Sequence, residues 1–87
     1  MATVYIPTLL EGLTGGRQTV QVNAATVFEI ITLLEESYPG LRGRLMEGDR
    51  LRPNLAVAVD GEISQAGLLS PVEPAGEVHF VFALKGG

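Results

Sequence analysis

The chain has 87 residues and a formal net charge of −4, and it contains no cysteine. This length fits a single domain. Without cysteine, disulfides, thiolate zinc sites, a cysteine nucleophile and a protein-bound persulfide are excluded, and the negative charge argues against nucleic acid as a partner.

The sequence predicts neither a membrane-spanning segment nor a signal peptide. Strictly apolar runs such as 55–59 are far shorter than the ~20 residues that a membrane-spanning helix needs. No lysine or arginine precedes Arg17, and the opening residues resemble a strand rather than a signal peptide. We therefore expect a cytoplasmic protein with no membrane contact.

The first two elements are predicted to be strands that form a hairpin. Residues 3–6 are β-branched or aromatic, and Pro7 ends the run because it lacks a backbone donor. Residues 14–17, Thr-Gly-Gly-Arg, indicate a turn. Residues 18–22 then resume with alternating polar and apolar side chains, as expected for a half-buried strand.

A helix follows, because the apolar spacing changes to i, i+3, i+4 and i+7. The residues with this spacing are Val27, Ile30, Ile31 and Leu34. Thr26 and Glu29 form a capping-box pattern at its start, and Pro39 and Gly40 end it. Residues 41–46 are predicted to add a short helical turn.

The second half of the chain is predicted to contain three strands. Residues 48–53 are expected to be a loop, and the arginines of 42–52 to be solvated. Residues 55–59 form an apolar strand, and Asp60-Gly61 indicates a tight hairpin turn into a short return at 62–64. Residues 65–76 form a winding connection that we expect Leu68 and Leu69 to anchor, and residues 77–84 form the last strand.

The predicted fold class is α+β. A strand hairpin, a helix, then three strands is the element order of the β-grasp (ubiquitin-like) fold, with a mixed four- to five-stranded sheet and one main helix on one face. We expect residues 1–84 to form this domain and residues 85–87 to be a flexible Gly-Gly tail.

The sheet face away from the helix is predicted to be unusually apolar. Alternation in the last strand places His79, Val81 and Ala83 opposite Val78, Phe80, Phe82 and Leu84. Alternation in 55–59 adds Ala56 and Ala58 to the same side as Val81. An exposed apolar patch is typical of a partner surface; the alternative is that the connection 65–76 covers it.

Four parts of the sequence form a recognisable set: Val4-Tyr5-Ile6-Pro7-Thr8, the turn at 14–16, the segment 38–45 and the terminal Gly86-Gly87. On these residues the chain resembles the MoaD/ThiS family of ubiquitin-like sulfur carriers, most of all its CysO-type branch. The resemblance implies that a ubiquitin-activating-type enzyme uses ATP to adenylate the Gly87 carboxylate. A sulfur donor then displaces AMP, and the resulting thiocarboxylate supplies sulfur to an enzyme that makes cysteine or another sulfur metabolite.

This resemblance implies a protein cosubstrate rather than an enzyme, a monomer when free, with no bound cofactor. Gly87 carries the sulfur, and the residues expected to contact partners are Gly86, Lys85, Leu84, Ala83, Val81, Ala56 and Ala58. Two alternatives share the activated intermediate. They are the small subunit of molybdopterin synthase and a ubiquitin-like modifier joined to other proteins through Gly87.

No metal site is predicted. His79 is the only histidine, and no cysteine or cluster of acidic residues accompanies it in the sequence. It is expected to lie on a strand and face solvent.

Overall fold

The structure, a computed structural model, describes residues 1–83. Its elements in chain order are β1 (Ala2–Tyr5), β2 (Thr19–Val22), α1 (Val27–Ser37), α2 (Leu41–Leu45), β3 (Met46–Glu47), β4 (Arg50–Leu51), β5 (Leu55–Val59), β6 (Glu62–Ile63) and β7 (Glu77–Phe82). Two 3₁₀ segments, Thr8–Thr14 and Gly67–Leu69, join β1 to β2 and β6 to β7.

Five of these strands form one mixed sheet in the order β2-β1-β7-β5-β6. The central strand β7 runs parallel to β1 and antiparallel to β5, and the other pairs are antiparallel. Strands β3 and β4 form a separate small hairpin. The predicted α+β, β-grasp fold is confirmed, with five strands in the main sheet.

Helix α1 closes one face of the sheet. Its predicted apolar stripe, Val27, Ile30, Ile31 and Leu34, is at most 1% exposed. The stripe belongs to the same core cluster as inward-facing strand residues such as Val4, Val57 and Val78. Burial of a large aliphatic side chain contributes about 1.5–3 kcal/mol, so this face stabilises the domain.

The start of α1 largely follows the predicted capping box. Thr26 Oγ1 accepts a hydrogen bond from the Glu29 amide at 3.2 Å. The Glu29 carboxylate accepts from the amide of Ala25 at 2.7 Å rather than from that of Thr26. The amide of Val27 donates to the carbonyl of Ser70, so the helix start is tied to the later connection as well as to its own cap.

The Asp60-Gly61 turn is confirmed. Both residues have positive φ, 52° and 86°, as a two-residue hairpin with the twist of its strands requires. An Asp60 carboxylate oxygen also accepts from the amide of Glu77 at 2.9 Å. The turn between β5 and β6 therefore also fixes the beginning of β7.

The anchor predicted for the connection 65–76 is partly wrong. Leu68 packs against the core, but Leu69 is 79% exposed. Ser70 and Val72 are buried instead, because the Val72 amide pairs with the Ala25 carbonyl at the start of α1. The connection thus lies on the helix side, which contradicts the alternative that it covers the outer face of the sheet.

Other predicted boundaries change slightly. Part of the loop predicted at 48–53 is the β3–β4 hairpin, in which Glu47 faces Arg50 across a turn with Gly48 at φ 67°. The 3₁₀ segment before β2 was not predicted. Strand β7 ends at Phe82 rather than at Leu84, which lies outside the described residues.

None of the helices within residues 1–83 has the length and hydropathy needed to cross a membrane.

Candidate functional site: the outer sheet face and the strand that leads to the C-terminus

One continuous row of side chains crosses the sheet on the face opposite α1. Residues directly opposite each other on paired strands point to the same side. Following the register from β2 to β6, this row consists of Thr19, Tyr5, His79, Ala58 and Ile63. A second pair, Ala56 and Val81, faces the same way beside it.

Most of these side chains are apolar and reach solvent. Val81 is 46% exposed and Ile63 is 56% exposed, whereas Ala56 and Ala58 are half-buried. We call Tyr5, Ala56, Ala58, Ile63, His79 and Val81 the outer apolar face. These residues lie on the side of the sheet away from the core. An exposed apolar patch in this position is typical of a surface that contacts another protein.

The β2 end of the same sheet face is polar. Gln21 Nε2 donates to Thr3 Oγ1 at 2.8 Å, and Thr19 is exposed. The apolar character is therefore confined to the half of the sheet built from β7, β5 and β6, with Tyr5 of β1 at its border.

Tyr5 and His79 form the centre of the outer apolar face. Their rings stack with centroids 4.0 Å apart and planes 6° apart, and each side chain is half-buried. The stack depends on the parallel pairing of β1 with β7. This pairing joins the two ends of the described chain and leaves no local sequence signal, which is why Tyr5 was not predicted as a site residue.

Ile63 was also missed. The sequence predicted only a short return strand at 62–64, and the side of the sheet on which Ile63 lies follows from its pairing with Ala58. The tight Asp60-Gly61 turn fixes that register. Counting outward from this turn would have placed Ile63 beside Ala58.

Of the site residues predicted from the sequence, the sheet brings four close to one another: Ala56, Ala58, Val81 and Ala83. Ala83 directly follows β7, is exposed, and donates its amide to the carbonyl of Asn54 at 2.7 Å. The other four predicted residues, Leu84, Lys85, Gly86 and Gly87, lie outside the described residues.

The strand that leads to these four residues is the central one. Strand β7 is hydrogen-bonded on both sides, to β1 and to β5, and it also carries His79 and Val81 of the outer apolar face. A strand paired on both edges is a rigid base for the segment that follows it. The apolar face and the C-terminal residues are thus joined by one short, fixed piece of backbone.

The described part of the chain shows no group of three metal-binding side chains. His79, the residue that sequence inspection singled out, contacts an aromatic ring instead.

No family model matches the chain. The curated sulfur carrier protein CysO of Mycobacterium tuberculosis is 42% identical over 45 residues, which is 52% of this chain and 48% of the relative. The match therefore spans about half the length of that curated relative.

Solved structures match over the full length. A chain in the Amycolatopsis orientalis BexX/CysO complex is 34% identical, covers 100% of both chains and has a TM-score of 0.93. The structure of Mycobacterium tuberculosis CysO is 29% identical, covers 97% of this chain and 100% of that chain, and has a TM-score of 0.88. The chain belongs to the ubiquitin-like sulfur carriers of the CysO type, within the MoaD/ThiS family.

Proposed function

We propose that the chain carries sulfur as a thiocarboxylate on Gly87. A ubiquitin-activating-type enzyme first joins the Gly87 carboxylate to the α-phosphate of ATP and releases pyrophosphate. With hydrosulfide as the simplest donor, sulfur then attacks the acyl carbon, a C–S bond forms, the C–O bond to AMP breaks and AMP leaves. The thiocarboxylate is the nucleophile that a biosynthetic enzyme uses.

The need for activation follows from charge. A free α-carboxyl group is ionised at neutral pH, and an anion resists attack by a second nucleophile. The chain itself has no cysteine on which sulfur could be held as a persulfide. A terminal carboxylate, activated by a partner, is the group left for this chemistry.

Glycine suits the last two positions because the tail has to enter a partner's active site. Without a Cβ atom, Gly86 and Gly87 can approach other backbone closely and adopt any φ. In this proposal Leu84 and Lys85 contact the partner next to the two glycines.

The observation that carries the proposal is the continuity of β7. The same central strand presents exposed Val81 and leads directly to the residues before Gly87. A partner that covers the outer apolar face therefore holds the domain by the strand from which the tail departs. We assign Ala56, Ala58, Val81 and Ala83 to this contact, and add Tyr5, His79 and Ile63.

Relatives support a carrier that works through other proteins. The curated relative is a sulfur carrier protein, and the full-length structural match comes from a BexX/CysO complex. We infer that this chain is likewise a protein cosubstrate in the cytoplasm, monomeric when free. It is loaded by an adenylating enzyme and unloaded by a sulfur-accepting one, in a pathway to cysteine or another sulfur metabolite.

Intact-mass spectrometry tests the loading step. The purified chain is incubated with its activating enzyme, ATP and sulfide. Exchange of one oxygen for sulfur should raise its mass by ~16 Da, as expected for a thiocarboxylate formed through an acyl intermediate. The control lacks Gly87. Absence of the gain in the wild type, or the same gain in the shortened chain, contradicts the proposal.

A further inference from the structure

Positive charge is concentrated in one short stretch of an otherwise acidic protein. Residues 41–52 contain four arginines against two acids, a net charge of +2. The remaining two basic and eight acidic residues have a net charge of −6, which accounts for the total of −4. Charge is therefore distributed unevenly along the chain. A partner that approaches residues 41–52 meets a positive local charge, although the protein as a whole is negative.

This stretch is a folded unit, contrary to the solvated loop predicted from the sequence. Arg52 donates from Nε and Nη2 to the carbonyl of Gly43, at 3.1 and 2.7 Å. Its amide donates to the carbonyl of Leu45 at 3.1 Å. These bonds hold the β3–β4 hairpin against α2, so the backbone of the segment is folded and the Arg52 side chain is held in place.

The folded unit lies beside the end of β7. Arg44 and Arg52 border a hollow of about 270 Å³ whose other lining residues are Leu9, Leu10 and Phe82. Phe82 is the last residue of β7, and Ala83 after it is bonded to Asn54, two positions beyond Arg52. Leu9 is 78% exposed at the rim of the hollow. Cationic and apolar groups thus adjoin the point where the tail begins.

Arg44 is the available charge in this hollow. The ion pair found among residues 1–83 joins Arg52 to Glu47, with 3.9 Å between nitrogen and oxygen. Arg44 is exposed, and no carboxylate oxygen of residues 1–83 lies within 3.9 Å of its guanidinium nitrogens. An arginine left with five donors beside an exposed leucine can bind a carboxylate with little rearrangement.

We propose that the segment 41–52, through Arg44 in particular, docks on an acidic patch of the activating enzyme next to the channel that receives the tail. This inference rests on the proposed function. The segment 41–52 is then a second contact surface, in addition to the outer apolar face. Its charge would orient the two proteins and speed their encounter, whereas the outer apolar face would supply most of the affinity.

A protein surface suits this segment better than a nucleic acid. A long polyanion would meet the charge of −6 on the rest of the molecule, and like charges oppose such binding. A compact cluster of aspartates or glutamates would meet a segment whose own net charge is +2, with Leu9 beside Arg44 and Arg52. We therefore favour an acidic patch on a protein, the activating enzyme, as the binding partner of this segment.

Matched charge reversals test the inference. Arg44→Glu and Arg17→Glu change the net charge equally, and Arg17 is an exposed residue outside the segment 41–52, just before the edge strand β2. The rate of thiocarboxylate formation is measured with the purified activating enzyme at limiting carrier concentration. We expect kcat/KM to fall about tenfold for Arg44→Glu and less than about twofold for Arg17→Glu.

Salt and a conservative variant make the test specific. The difference between the two reversals should shrink at about 0.5 M NaCl, where exposed charges are screened. Arg44→Lys should keep most of the rate, and urea unfolding of each variant checks that the domain remains folded.

Equal effects of the two reversals, or a loss that persists at high salt in a folded Arg44→Glu variant, would overturn this inference while leaving the proposed function intact. If the wild type itself gains no sulfur, the proposed function fails and this inference fails with it.

Discussion

The two faces of the sheet contain similar residues and have opposite surroundings. On the inner face Val57 lies opposite Phe80, and both are buried beneath α1. On the outer face Ala56 lies opposite Val81, one position along the same strands, and Val81 is 46% exposed. Apolar alternation alone therefore does not mark the core, because the half of the outer face built from β7, β5 and β6 is also largely apolar.

Truncation should destabilise the domain strongly on the inner face and hardly at all on the outer face. Phe80→Ala removes a buried aromatic ring from the inner face and should lower the free energy of unfolding by about 3–5 kcal/mol. Val81→Ala, next to it on the outer face, should change that free energy by less than about 0.5 kcal/mol. Urea unfolding of both variants measures the contrast. Equal losses would mean that the outer face belongs to the core.

A polar substitution should expose the function of the outer apolar face. Val81→Gln should leave the domain folded but reduce the kcat/KM of activation about fivefold, because a partner would have to bury an unpaired amide. The control is Thr19→Gln, at the polar end of the sheet and outside the outer apolar face. If the two variants are activated equally well, the partner does not contact Val81.

The smallest expected effect concerns the Tyr5–His79 stack. A double-mutant cycle with Tyr5→Leu and His79→Leu, followed by urea unfolding, should give a coupling energy of about 0.5–1 kcal/mol, as for other aromatic pairs. A coupling energy near zero would show that the stack, with its ring centroids 4.0 Å apart, does not stabilise the protein.

Local features of the fold were predictable from the sequence. The spacing of apolar residues gave helix α1, Thr26 marked its start, and the Asp60-Gly61 turn set the β5–β6 hairpin. Each of these depends on residues close together in the chain. The alternation of β7 likewise predicted that Val78 and Phe80 share one face, which is the buried one.

Features that depend on distant pairing were not predictable. Leu69 and Val72 are both apolar and three residues apart; the pairing of Val72 with Ala25 decides which of them is buried. The parallel pairing of β1 with β7 similarly decides that Tyr5 meets His79. The arginines of 42–52 gave no local sign that they adjoin the end of β7, because the intervening contacts are tertiary.

Loading of sulfur at Gly87 is tested most directly by locating the added mass within the sequence. Glu77 is the last acidic residue of the sequence, so cleavage after glutamate releases residues 78–87 as one peptide. Fragmentation of this peptide from the activated protein should place the gain of ~16 Da on Gly87, as expected for an acyl carbon that has exchanged oxygen for sulfur. A gain on any earlier residue, or an unmodified peptide from protein whose intact mass has risen, would contradict the account.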